Sequence, residues 1–280
     1  MRGLDARRAI LTGIPLLAGA LLAQPPAPTY IPQTKFATGQ DVQPVFEGWL
    51  RNGDGTFTMV FGYLNRNYKE ELAIPAGPDN KVSPGDPDRG QPTYFLPRRQ
   101  SFLFRVQVPA DWGDQELIWT VTAHGRTEKA FGSLLPQEEI TERMIMTRGN
   151  LNPGEDDPNH PPSISIVPAS RASVSSPATL TALVTDDGLP KPRAAPKPRP
   201  GGLPGQTNTA VSARPRGLTV SWFEYRGPAK VVFDSEGPIP VSNGQAVTKA
   251  RFTAPGTYEL RAIASDGSLS TRAAIAIKVD

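Results

Sequence analysis

Any chemistry in this chain would have to come from its carboxylates, two histidines, a run of cations and a few aromatic rings. His124 and His160 have no second histidine at ligand spacing, which argues against zinc. Neither has a serine nearby in a nucleophile-elbow context. There is no cysteine, which excludes thiol nucleophiles, Cys metal sites and disulfides. Carboxylates are plentiful, yet spacing singles out no glycosidase pair. Glu47 and Glu224 are lone acids in apolar runs, and the simplest reading turns both to solvent. Asn52-Gly53-Asp54-Gly55 lacks the further acids and the later glutamate of a helix-loop-helix calcium loop, so it reads as a hairpin turn. Asp186-Asp187-Gly188 and Asp266-Gly267 leave two readings open, a shared calcium site and separate turns. No catalytic, cofactor-binding or metal-ligating residue is assigned.

Two groups remain as contact candidates. Lys191, Arg193, Lys197 and Arg199, with Arg214 and Arg216, stand in a Pro-rich tract, and no acid lies between Asp187 and Glu224. Alternating proline and cation favours an extended polyproline II segment that shows its charges to water. It reads either as a dock for a polyanion or as a solvated loop. The tract has no aromatic for base stacking, so nucleic acid is not an expected partner. The second group is aromatic. Trp112 sits in a polar loop, Tyr94-Phe95 follow a Pro-rich stretch, and Phe223 and Tyr225 lie opposite Trp222. Such rings can stack on a sugar or anchor a protein partner, although sandwiches more often bury them.

The elements that would position these groups are strands. In Pro255–Gly267, Tyr258, Leu260, Ala262 and Ala264 alternate with Thr257, Glu259, Arg261 and Ile263 between two turns. That period of two marks a strand with one face in a core. Proline and glycine (31 and 26 residues) make up about a fifth of the 280-residue chain, which disfavours long helices. The net charge is +3, and residues 1–23 carry two of those three charges through Arg2, Arg7 and Arg8 against Asp5. Global charge is therefore no argument for a nucleic-acid protein.

The chain divides as follows. Residues 1–23 have a basic start and a short apolar run ending at Ala23, the pattern of a signal peptide cleaved there. Residues 24–43 are a Pro-rich spacer. A first β-sandwich is expected over 44–136, with strands around Val45–Leu50, Phe57–Tyr63, Phe102–Val108, Leu117–Ala123 and Thr127–Ser133. Leu64–Thr93 reads as a long irregular excursion within it. Residues 137–162 are a linker whose Gln137–Met146 is the one helix candidate. A second sandwich of about seven strands is expected over 163–280, interrupted by the basic insertion at 189–217.

The run V-S-W-F-E-Y-R-G-P-A-K-V-V-F, followed by A-R-F-T-A-P-G-T-Y-E-L-R-A-I-A-S-D-G, resembles PKD and related immunoglobulin-like modules of bacterial surface proteins. The resemblance implies that Trp222 fills the core. It also implies that Tyr258 occupies a corner where its hydroxyl bonds back to the backbone. The sequence lacks the Asp-Phe-Gly-Asp-Gly run of the best-known members. The N-terminal domain resembles segments of secreted bacterial proteins and implies no chemistry. The expectation is an all-β chain, two immunoglobulin-like β-sandwich domains in tandem after an N-terminal signal peptide. It would be exported to the periplasm or exterior, with no transmembrane span in the mature chain, and no cofactor is expected. It would act as a non-catalytic structural or protein-interaction module on a protein or glycan of the cell envelope. A carbohydrate-binding accessory protein and a hydrolase are the alternatives.

Overall fold

The structure, a computed structural model, describes residues 35–149, 157–168, 172–191, 217–235 and 237–280. The expected signal peptide, spacer residues 24–34, linker residues 150–156, and Arg193, Lys197, Arg199, Arg214 and Arg216 lie outside the described residues. Residues 35–280 form one compact unit. Among the described residues no helix is long and apolar enough to cross a membrane.

The chain is all-β. The first half contains β1 (Val42–Arg51), β2 (Phe57–Asn65), β3 (Leu72–Ala73), β4 (Asn80–Ser83), β5 (Tyr94–Phe95), β6 (Arg98–Val108), β7 (Leu117–Ala123) and β8 (Arg126–Gly132). Two antiparallel sheets, β1-β2-β6 and β4-β7-β8, enclose a core, and the two-stranded β3-β5 sheet stands beside them. Aromatic rings fill it: Phe61 stacks on Phe104 at 5.3 Å, and Trp119 meets Phe104 edge-on at 4.8 Å.

The sequence missed β3, β4 and β5 and took Leu64–Thr93 for irregular chain. The segment has no readable period because side-chain hydrogen bonds hold it. Asn80, fully buried, donates from Nδ2 to the carbonyls of Ile74 and Pro92, and its Oδ1 accepts from the Trp119 indole N–H at 2.9 Å. Gln91 donates to the carbonyls of Asn80 and Pro87. The spacer also ends earlier than expected. Phe36 and Ala37 carbonyls accept from the amides of Tyr68, Lys69 and Glu70, and buried Asp41 pairs with Arg66 at 3.1 Å.

The expected helix splits. Pro136–Glu138 is a 3₁₀ turn, and α1 covers only Glu142–Met146, where Thr141 caps it by accepting from the Met144 amide. Between them the Ile140 amide donates to Trp49, which ties the segment to β1.

The second half holds β9 (Ser163–Ile166), β10 (Ala178–Thr185), β11 (Thr219–Arg226), β12 (Val231–Phe233), β13 (Ile239–Pro240), β14 (Gln245–Phe252), β15 (Gly256–Ser265) and β16 (Ser270–Val279). One sheet runs β9-β10-β14-β12 and the other β13-β11-β15-β16. Without β13, that is the A-B-E-D and C-F-G division of an immunoglobulin-like sandwich. Tyr258, Leu260, Ala262 and Ala264 all face its core and are fully buried, as the alternation requires. Trp222 fills the core on the C-strand position, β11. The Tyr258 hydroxyl donates to the Ala254 carbonyl at 2.7 Å, the expected corner bond. Replacing Tyr258 with Phe removes that bond and keeps the ring, so urea unfolding should show a loss of about 1 kcal/mol.

Candidate functional site

The feature that organises the molecule is the seam where β11 meets the first half. Trp222 and Glu224 point into the second sandwich, while Phe223 and Tyr225 point out of it. Tyr225 is 1 % exposed and belongs to the first sandwich's core, against which Phe223 also packs. The Tyr225 hydroxyl donates to the Gly90 carbonyl, and the Tyr225 carbonyl accepts from the Thr93 amide. Arg226 donates from Nε to the Gln91 carbonyl at 2.8 Å and grips Asp88 with both Nη nitrogens. That guanidinium holds the Asp88 carboxyl below the usual carboxylate range. Lys230 reaches back to Glu71 at 2.9 Å.

A second line of contacts comes from β15 and β16. Arg261 lies over the Tyr225 ring and donates to the Leu103 carbonyl at 2.6 Å. Arg272 donates to the carbonyls of Phe102 and Ser101. Ser270 donates to the Met146 carbonyl at 3.0 Å, which includes α1 in the seam. Phe102 adopts φ 52°, a left-handed conformation that a bulky residue rarely takes.

The two acids expected to face solvent do not. Glu47 sits at a bulge in β1, with its side chain only 9 % exposed. It crosses the face of Gly62, where a Cβ would come within 2.2 Å of its Oε1, to reach Arg99 at 2.8 Å and the Phe102 amide at 3.1 Å. Glu224 is 2 % exposed. Its Oε2 accepts from the Val231 amide at 2.8 Å, while Oε1 is buried without a partner. Burial pushes its carboxyl up to about 8, and nearby Glu71 adds to the rise. Glycine is required at 227, since a Cβ there would meet Glu224 Oε1 at 2.3 Å and the Tyr258 ring at 2.4 Å. A cavity of about 340 Å³ lies here, lined among others by Glu71, Tyr94, Trp222, Glu224 and Lys230. A neutral carboxyl next to a Lys-paired carboxylate can hold or release a proton, and Ser235 also lines the cavity.

The aromatic contact candidates are corrected. Trp112 is 8 % exposed: its loop folds under it, and the indole N–H donates to the Gln115 carbonyl at 2.7 Å. Phe95 is fully buried beneath Tyr63, with ring centroids 4.9 Å apart. Tyr94 is buried and donates its hydroxyl to Glu71 at 2.6 Å. All three rings are buried, and Tyr94 lines the cavity beside Glu224. Lys191 is exposed at the edge of the basic insertion.

The acidic turns do share one end of the second sandwich. Asn159 bridges from the linker to Asp266 at 3.0 Å, and the His160 amide donates to Asp187 at 2.9 Å. Burial raises Asp186, and the charges of Asp266 and Asp187 raise it further. Among the described residues no three Asp, Glu, His or Cys side chains converge as a metal cage. The Asn52–Gly55 segment is a hairpin turn closed by an Asn52–Thr56 backbone bond of 2.9 Å.

The seam residues Tyr225, Arg226, Arg261 and Arg272 were missed by sequence reasoning. One signal was present: β11 is apolar on both faces through Trp222, Phe223 and Tyr225, and a strand covered on both sides reads that way.

No family model matches the chain, and no curated protein matches it. Among solved structures, a chimeric titin Z1Z2 functionalised with a decorin KLER peptide aligns over 86% of this chain and 99% of its own, at 12% identity and a TM-score of 0.26. A chimeric titin Z1Z2-Z1Z2 tandem carrying a fibronectin GRGDS peptide aligns over 86% of this chain and 97% of its own, at 12% identity and a TM-score of 0.23.

Proposed function

We propose that this chain is an exported, non-catalytic module of the cell envelope or exterior, serving as a rigid structural and protein-interaction element. The observation that carries the reading is the seam. One sandwich places Tyr225 in the other's core, and Arg226 clasps Asp88 across the junction. Such a support holds its loops at fixed separation, and loops on a rigid scaffold are where binding residues concentrate. The signal-like residues 1–23 support export, and the Trp222 and Tyr258 pattern supports a PKD-type second sandwich. Burial of Trp112, Tyr94 and Phe95 favours this reading over a glycan-binding one that would use those rings as platforms.

The test is fractionation of cells expressing the tagged chain, followed by cross-linking in the envelope. The expected result is recovery outside the cytoplasm with a defined cross-linked protein. Retention in the cytoplasm, or hydrolytic turnover that persists through repurification, would contradict the reading. Deleting Leu189–Arg216 should leave the melting temperature within about 2 °C of the parent, because shortening the chain between two strands changes closure entropy little. It should also abolish the cross-link if the cations make the contact. Differential scanning fluorimetry and the same cross-linking experiment read the two effects separately.

A further inference from the structure

We infer that the cavity in the seam is a binding site for a tetrahedral oxyanion, phosphate or sulfate, either free or as an ester group. The cavity has a volume of about 560 Å³ and is lined by Arg105, Arg261 and Arg272 together with Glu142, Glu259 and Ser270. Two of the three guanidiniums are already matched. Arg105 holds Glu142 through paired contacts of 2.6 and 2.7 Å, and Arg261 lies 2.9 Å from Glu259.

Arg272 is different. It makes no ion pair among the described residues. Its Nη1 and Nη2 donate to the carbonyls of Phe102 and Ser101, and its Nε is buried with no partner. A guanidinium has five N–H donors, so roughly three of them remain to be used. Glu47 is the carboxylate whose charge favours the Arg272 cation, and Arg99 already occupies it at 2.8 Å. Arg148 adds a further cation beside Arg272. Along the cavity wall three guanidiniums, at 105, 261 and 272, thus face two carboxylates, at 142 and 259. One positive charge is left at the cavity wall.

Like charges in a partly buried seam repel, and the cost shows at Arg272. Burial, then Arg148, Arg261 and Arg105, push it down to about 10. A bound oxyanion would supply the missing acceptors and negative charge. The planar guanidinium fork matches phosphate and sulfate oxygens through paired bonds. The site does not depend on the interaction role proposed above.

The experiment is a titration of the purified protein with inorganic phosphate, sulfate, glycerol phosphate and acetate. It is read by calorimetry and by melting temperature, with ionic strength held constant by sodium chloride. The expected result is saturable phosphate and sulfate binding with a rise of several degrees in melting temperature. Glycerol phosphate binding as tightly as phosphate identifies an ester group as the ligand, and its failure identifies the free anion. Arg105→Gln and Arg148→Gln should each weaken phosphate binding about tenfold while leaving the anion-free protein folded. Arg272→Gln should abolish binding, and the two milder variants decide the matter if it fails to fold. A melting shift no larger than chloride gives, affinity unchanged in both milder variants, or acetate binding as tightly as phosphate would each overturn the assignment.

Discussion

Tyr225→Ala is expected to destabilise the protein by about 3–5 kcal/mol, the range for removing a buried ring from a core. In a unit of this size that lowers the melting temperature by roughly 10 °C. The residue belongs to the second sandwich by sequence and to the first sandwich's core by position. Its loss therefore opens a void in the first core and removes the surface under Arg261. It also removes the hydroxyl that satisfies the Gly90 carbonyl. Tyr225→Phe separates these contributions, because it keeps the ring and loses only the hydrogen bond. It should cost about 1 kcal/mol. Urea unfolding of both variants provides the measurement. A cost for Tyr225→Ala below about 0.5 kcal/mol, typical of a surface site, would mean that the ring is not part of the core.

Glu224→Gln should stabilise the protein at alkaline pH and do little in acid. The carboxyl has an ordinary value of 4.5 and stands at about 8 in the folded protein. Between those values the folded chain keeps a proton that the unfolded chain releases. Stability is therefore highest below 4.5, falls as the pH rises to 8, and stays low above it. The full shift would correspond to nearly 5 kcal/mol, which solvent near the cavity reduces to about 2–4 kcal/mol. Glutamine cannot ionise, and its carbonyl can still accept from the Val231 amide. The variant should match the parent near pH 4.5 and exceed it by about 2–4 kcal/mol at pH 9. Chemical unfolding at the two pH values checks this, and the contributions of all other groups cancel in the difference. An equal difference at both values would show that Glu224 is charged in the folded state at neutral pH.

The parts of the fold that were legible in the sequence are those fixed by local pattern. β15 could be read from Tyr258, Leu260, Ala262 and Ala264 because burial of one face imposes a period of two on neighbouring residues. Core Trp222 and the Tyr258 corner bond were implied by the resemblance to immunoglobulin-like modules and not by the period of their own strands. The excursion over Leu64–Thr93 was not legible. Its order comes from Asn80 and Gln91 reaching across the segment, and polar side chains that satisfy backbone groups leave no periodic trace. Trp112 misled because its loop is polar in composition, yet it folds back to bury the indole. Glu224 misled because a lone acid in a strand is ordinarily exposed. Its burial follows from β12 crossing over it, and the Val231 amide that accompanies that crossing is its only partner. The seam left one local trace, the apolar residues on both faces of β11, while its ion pair left none, since Arg226 and Asp88 are brought together only when both halves are folded.

The seam makes the two sandwiches one cooperative unit, held by β11 and the arginines around it. Differential scanning calorimetry of the protein tests it most directly. One transition is expected, with calorimetric and van't Hoff enthalpies in agreement. Two resolved transitions, with an enthalpy ratio well above one, would show sandwiches that melt separately and would contradict the account.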